Sequence, residues 1–528
     1  MDYKVCILAA GKGTRVSYAA NFHKALLPVG EQSTLGRIIE KFPKNTEIVI
    51  AVGYNSHLIK EFVKIAYADR KITLVDIDTY EGEGSGPGYS LYACREHLQC
   101  PFIFTSADTI VEESPPAPSR NWLGVARAED SLQYCMADVQ RGLVRSFHTK
   151  IPVSELLKRS VNLEAALNNA FIGMAGVFNY EDFWKGFEGG TQLIQGELQV
   201  MSGLEQLVSH SLHPVSFTWY DTGNDAGYLK THRKFGQGRL VPKAEEFIFF
   251  ENGHVIKFFS DKKIVAERIH RARLLKDFVP ELSYAGEWFY AYRFIDGVLL
   301  STVTDPGVFM KFLELCKEKL WQCVDLDEQE KKKFSEATKD FYFRKTNDRI
   351  SAFYQVSGIQ DRVDSINGRE VPAISTLLDA IDWNWLTSGV PVNFHGDLQP
   401  ENVIVGDTEI TLIDWRHNFG GLAVGDIYYD FAKLYHALCV SQEVIRQEAY
   451  EVGIAEGEIR LQFNIKSNLL TFRDLFEKFL ADEGYDVQKV KVLSALVYLN
   501  IAPLHHYPYN IFLYYFGKYM LDETLNSR

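Results

Sequence analysis

The chain has 528 residues, 46% of them hydrophobic and 24% charged, the balance of a globular protein too long for one ordinary core. Its formal net charge of −13 excludes nucleic acid and anionic membranes as general partners, while leaving room for local basic sites that hold small phosphates. The seven cysteines (Cys6, Cys94, Cys100, Cys135, Cys316, Cys323 and Cys439) are odd in number, scattered and without CxxC spacing, which predicts reduced thiols in a cytoplasmic protein and neither a disulfide frame nor a zinc site.

In chain order, the opening MDYKVCILAAGKG carries an apolar stretch that ends at Gly11, too short for a signal peptide and suited to a buried strand. Val5–Leu8, Glu47–Val52, Ile72–Val75 and Phe102–Thr105 read as strands. Ser56–Ile65 and Ser90–His97 read as helices between them, with Ser56 and Ser90 as caps. Such alternation predicts an α/β domain with a mainly parallel sheet covered on both faces and ligand loops at the carboxyl ends of the strands. The punctuated stretch Lys234–Pro242 predicts a boundary, giving domains 1–238 and 239–528. Beyond it, Glu246–Phe250 and His254–Phe259 flank Glu251-Asn-Gly253, a hairpin pattern; a helix over Lys263–Lys276 and a strand over Phe289–Phe294 follow. From Pro306 onward helical periodicity dominates. The division is therefore a small lobe over about 243–300 and a helical lobe over about 301–528. No run reaches the ~18 apolar residues of a membrane helix; the nearest, Val492–Pro503, contains Asn500.

Two loops carry phosphate chemistry. The first strand delivers Leu8 and Ala9-Ala-Gly-Lys-Gly-Thr-Arg15, where Gly11 and Gly13 let backbone N–H groups face an anion. Arg15 can fork onto a phosphate and Lys24 can add a point charge, which is what two anionic reactants need before they can meet. The segment LAAGKGTR followed by HKALLPVG is similar to the signature of the nucleotidyltransferases that make nucleotide sugars and CDP-choline. His23 stands where that family usually has proline, and HKAL resembles the phosphocholine cytidylyltransferase branch. The resemblance implies a Rossmann-like fold, a nucleotide held by Leu8, Ala10, Gly11, Gly13, Thr14, Ser85 and Gly86, and Arg15 and Lys24 as catalytic cations. It also implies Mg²⁺ on Asp108, which ends Phe104-Thr-Ser-Ala-Asp108, and on Asp221 of Trp219-Tyr-Asp-Thr-Gly223. Asn169–Gly173 falls where family members bind the acceptor. CTP is the favoured nucleotide, with UTP, dTTP and GTP open.

The second set is His395-Gly-Asp397 with Asn402 and, after the strand Ile410–Ile413, Asp414. This spacing places a base and two metal ligands around one phosphoryl group. It resembles the aminoglycoside phosphotransferase and choline kinase family, which implies a two-lobed, protein-kinase-like fold. Asp397 would be the catalytic base, Asn402 and Asp414 the Mg²⁺ ligands, and Lys257 with Glu267 the ion pair on the ATP phosphates. The hairpin has only Gly253 and no G-x-G-x-x-G. Gly425-Asp426 and Asp430 read as buried braces of the catalytic loop. The aromatic run Leu504–Phe516 reads either as core or as a cradle for a quaternary ammonium.

Together these resemblances imply a bifunctional transferase with small-molecule substrates. ATP would phosphorylate an amino alcohol such as choline, a polyol or an anomeric sugar hydroxyl. Nucleotidyl transfer to that phosphate would then yield an activated precursor for a capsule, a lipopolysaccharide or a lipid head group. The rival reading is a nucleotide-binding regulator with one inactive half; the presence of both carboxylate sets argues against it. Neither nucleic acid binding nor membrane insertion is expected, and the oligomeric state is open.

Overall fold

The computed structural model describes residues 2–19, 22–128, 132–149, 167–188, 193–194, 196–236, 245–455 and 457–527. The chain divides into two compact units, Met1–Lys262 with Ser283–Phe294, and Lys263–Leu282 with Ile295–Arg528.

In the first unit, Lys4–Ala9 lies between Glu47–Val52 and Phe102–Ser106, and Ile72–Asp76 continues the sheet beyond Glu47–Val52, all parallel. The buried runs KVCILA and EIVIAV leave few polar positions, as a sheet covered on both faces requires. Ala170–Val177 joins Phe102–Ser106 antiparallel and extends the sheet towards Cys135–Gln140 and Leu143–Thr149. The helix Ser56–Ala66 buries Leu58, Ile59, Phe62 and Val63. Its cap position is Asn55, at φ 47°, in place of Ser56. The helix expected to begin at Ser90 begins at Pro87, because proline at the first turn after Gly86 fixes the start there.

The hairpin Glu246–Glu251 and His254–Phe259 turns through Asn252 and Gly253, both at positive φ, the two-residue turn that matches strand twist. Phe289–Arg293 pairs with its second strand. The boundary expected at 238/239 lies outside the described residues. The small sheet, expected to group with the carboxyl-terminal half, instead shares the core of the first unit. Phe22 packs tilted against Phe247 and Phe258, with ring centroids at 4.7 and 4.3 Å, and Phe62 meets Phe249 at 5.2 Å and Phe289 at 5.9 Å. The Glu251 carboxylate, fully enclosed, accepts from Ser33 N and from the Tyr67 hydroxyl at 2.8 Å. The physical reason is area: a two-sided sheet this small needs apolar cover, and the face bearing Phe247, Phe249, Phe258 and Phe289 finds it on Phe22 and Phe62.

The second unit is mainly helical, with Glu328–Lys339, Lys345–Ser357, Ile427–Cys439, Ser467–Asp482, Val487–Ile501 and Tyr509–Asn526 among its helices. Val298–Leu299, Val403–Val405 and Ile410–Leu412 form a small sheet that carries the motif loops. A second sheet, built from Asp364–Ile366, Arg369–Val371, Tyr450–Ala455 and Glu458–Phe463, has no counterpart in the helical reading. Contrary to the hydropathy expectation, one stretch, Val487–Leu504, is long and apolar enough to cross a membrane by length and composition; 61% of it is buried inside the unit. In the run Leu504–Phe516, Phe512, Tyr514 and Tyr515 are buried, the core alternative for that segment.

Candidate active sites

In the first unit the glycine loop opens into a cavity of about 860 Å³. Leu8, Ala10, Gly11, Gly13, Thr14, Arg15, Lys24, Ser85, Gly86 and Asp108 all line it. Gly13 has φ 66°, and a Cβ there would lie 2.7 Å from Lys24 Cδ, so only glycine allows the loop to pass beneath that lysine. His23, in the place of the family's proline, is buried and accepts from Ala25 N at 3.1 Å, capping the turn Lys24–Leu26 that aims Lys24 into the cavity. Burial pushes its imidazole down to about 3, so it caps as a neutral acceptor.

The Lys24 ammonium donates to Asp108 Oδ2 at 2.6 Å. Asp221 reaches the same place from the strand Trp219–Asp221, which pairs with Thr109–Val111. A Cβ on Gly223 would lie 2.9 Å from Asp221 Oδ1 and 3.0 Å from Asp108 Oδ2, so the two carboxylates flank that glycine. Their environments pull them apart. Burial opposes ionisation of Asp108, but the charges of Lys24 and then Arg15 hold its carboxyl below the usual range. Burial and then the charge of Asp108 push Asp221 up, while Gly223 N donates to it at 2.7 Å and the Tyr134 hydroxyl at 3.0 Å. Among the described residues no basic side chain forms an ion pair with Asp221. Two oxygen donors facing one another, one lacking a cation, fit Mg²⁺, which keeps several waters and takes further ligands from substrate phosphates. Asn169 precedes the strand Ala170–Val177, with its carbonyl accepting from Ala137 N at 2.9 Å.

In the second unit the loop His395–Asn402 is held from below. Asp430 accepts from His395 N at 2.7 Å, Gly396 N at 2.6 Å and the Trp321 indole at 3.3 Å. Burial raises its carboxyl to about 6. Asp426 accepts from Val390 N at 2.9 Å and the Tyr342 hydroxyl at 2.7 Å. Asp430 is thus the brace expected under the loop, whereas Asp426 holds segments outside it. His395 Nε2 donates to Ile413 O at 3.0 Å, and Ile413 N donates to Asn402 O at 2.9 Å, tying the loop to the strand before Asp414. Asp414 has φ 61°, which turns the chain sharply out of that strand.

Asp397 accepts from Lys433 at 2.7 Å and from Gln399 at 3.0 Å on Oδ1, and from Asn402 Nδ2 at 3.2 Å on Oδ2. Burial works against its charge, and Lys433 overcomes that and keeps it ionised. With its amide nitrogen on Asp397, Asn402 keeps its carbonyl oxygen as the atom that could join Asp414 on a metal, so this donor set also suits Mg²⁺. Among the described residues no group of three or more His, Cys, Asp or Glu side chains forms a protein-only metal cage.

Lys257 is buried on the strand His254–Phe259 of the first unit, while Glu267 stands in the second. Glu267 accepts from Asn418 Nδ2 at 2.6 Å and lies 3.8 Å from Lys263, and the neighbouring Arg268 holds Asp414 at 2.9 Å. The sequence reading missed Lys433, Arg268 and Tyr134. Lys433 was accessible from spacing, since it follows Asp430 by three residues on one helix; Tyr134 offered no local pattern.

Residues 5–114 match the family model of the MobA-like NTP transferase domain, and residues 335–460 match that of the phosphotransferase enzyme family. The chain is similar to the bifunctional protein GlmU of Methanococcus aeolicus, with 34% identity over 109 residues, 20% of this chain and 25% of that protein, so the match spans about a quarter of the relative. A UDP-glucose pyrophosphorylase complexed with UDP-glucose aligns with a TM-score of 0.37 and 16% identity over 45% of this chain and 100% of that one. The CTP:phosphocholine cytidylyltransferase of Streptococcus pneumoniae aligns with a TM-score of 0.34 and 17% identity over 44% and 99%. The chain thus joins a MobA-like NTP transferase domain to a domain of the phosphotransferase enzyme family, and carries both transferase classes.

Proposed function

We propose that the two units catalyse consecutive steps. The second phosphorylates a small hydroxyl compound with ATP; the first couples the new phosphate to the nucleotidyl group of a nucleoside triphosphate and releases pyrophosphate. CTP is assigned from the HKALL segment at His23–Leu27. The observation that carries the reading is that each motif set is assembled in its own unit, Lys24 with Asp108 and Asp221 in one, Asp397 with Lys433, Asn402 and Asp414 in the other. Order follows from chemistry, because phosphorylation makes the monoester that nucleotidyl transfer consumes.

In the first step Asp397 orients the acceptor hydroxyl and takes its proton as the oxygen attacks the γ-phosphorus and ADP leaves. Lys433 and Gln399 fix the carboxylate for that task. In the second step the glycine-loop amides, Arg15 and Lys24 draw two anions together, and an oxygen of the monoester attacks the α-phosphorus as pyrophosphate departs. Mg²⁺, when bound by Asp108 with Asp221 and by Asn402 with Asp414, supplies neutralisation of phosphate charge. The product would be an activated precursor for a surface glycan or a lipid head group.

Incubating the chain with ATP, CTP and a panel of hydroxyl compounds, leaving out one nucleotide at a time, tests this reading. A phosphomonoester should form with ATP alone and a nucleotide conjugate only with both. A conjugate made from the unphosphorylated compound without ATP would overturn the scheme.

A further inference from the structure

The loop that presents Asp397 has more cations around it than the fixing of that carboxylate requires. Lys433 sits on Asp397 at 2.7 Å. Arg416 packs against the loop: its N donates to His395 O at 2.9 Å, and a Cβ on Gly396 would lie 2.5 Å from Arg416 Cβ. The Arg416 guanidinium lies 5.1 Å from the centroid of the Phe341 ring, and the Lys345 ammonium lies 4.1 Å from the same centroid. Phe341 belongs to the π-helical turn Asp340–Arg344, whose wider winding leads into the helix Lys345–Ser357. Arg349 follows one turn along that helix.

Among the described residues, Lys345, Arg349 and Arg416 form no ion pair with a carboxylate, while Lys433 is already committed to Asp397. Burial, then the charges of Arg416, Arg349 and Lys433, bring Lys345 down to about 7. Half-buried like charges crowd at a cost that a bound anion would relieve. The aromatic run Leu504–Phe516, the alternative cradle for a cation, buries Phe512, Tyr514 and Tyr515 in the core.

We infer that the hydroxyl compound presented to Asp397 carries an anionic group, a carboxylate or a phosphate ester, bound by Lys345, Arg349 and Arg416. This rests on the kinase assignment of the second unit and narrows its substrate class. A choline-like cation would meet repulsion at the same place, and a neutral polyol would leave the cluster uncompensated.

The test compares glycerate and glycerol 3-phosphate with glycerol and choline as acceptors for the full chain. One of the two anions should be preferred, and which one distinguishes a carboxylate site from a phosphate site. Lys345→Gln and Arg349→Gln should each raise KM for that anion about ten- to hundredfold, the loss of one charge-assisted contact. KM for ATP should stay within about twofold, and Lys345→Arg should restore acceptor binding. Preference for glycerol or choline, or a loss that falls on KM for ATP, would overturn the inference. Sulfate supplies a readout that needs no acceptor: it should raise the Tm of the native chain more than that of the Lys345→Gln/Arg349→Gln double variant, and equal shifts would also overturn it. If ATP turnover is insensitive to Asp397→Asn, the kinase assignment itself fails. If turnover needs Asp397 but ignores Lys345 and acceptor charge, only the anion inference fails.

Discussion

Asp397 and Glu251 show how the same carboxylate answers to different surroundings. Asp397 is half-buried beside Lys433 and stays charged, which suits a group that must accept a proton. Asp397→Asn keeps shape and hydrogen bonding but loses that capacity. Phosphorylation should fall by on the order of 10²–10⁴, with ATP binding retained, as measured by steady-state kinetics and nucleotide titration. An unchanged rate would remove Asp397 from the mechanism. Glu251 is enclosed without a cation, and burial raises its carboxyl to about 7, above its ordinary value of 4.5. The folded chain therefore binds this proton more tightly than the unfolded one. Its contribution to stability is fully present below about pH 4.5 and is lost as pH rises to about 7, a change of roughly 3 kcal/mol at most. Glu251→Gln should flatten the pH dependence of Tm between these values and gain on the native chain above neutrality. Parallel curves for the two proteins would show that Glu251 is not the titrating group.

At the scale of elements, the small sheet is the informative one. Its hairpin bears Lys257, yet its apolar face packs on Phe22 and Phe62, and Asn252 Nδ2 donates to Ala66 O at 3.0 Å. Phe22 stands two residues before Lys24, so the segment after the glycine loop and the strand that carries Lys257 share a packed core. A fragment beginning at Glu245 should expose Phe247, Phe249, Phe258 and Phe289, and is expected to aggregate or to lose ATP binding, as gel filtration and nucleotide titration would record. A soluble fragment that binds ATP as tightly as the whole chain would contradict the shared core. The sequence could not announce this arrangement. Alternating apolar residues in Glu246–Glu251 say that one face is buried, but not which surface covers it. The Ser90 start and the Ser56 cap were missed for a local reason: both serines are good caps by type, but Gly86 and Asn55 occupy the positions where the chain turns. By contrast, the parallel strands and the glycine loop were legible, and motif spacing alone picked out Asp108 with Asp221 and Asp397 with Asn402, pairs that the structure brings together.

For the molecule as a whole, the two carboxylate sets lie in separate units, each with its own lysine. Asp108→Ala should abolish nucleotidyl transfer and leave ATP-dependent phosphorylation near its native rate, since independent sites act additively. A parallel loss of both activities in a folded variant would show that the sites do not act independently. The central claim is that the phosphate installed by one unit is the phosphate the other unit activates. Following label from γ-labelled ATP in the presence of CTP and the acceptor tests it most directly. Label should enter the phosphomonoester first and then the diphosphate bridge of the nucleotide conjugate. Conjugate that forms without the label, or label that stays in the monoester while pyrophosphate is released, would contradict it.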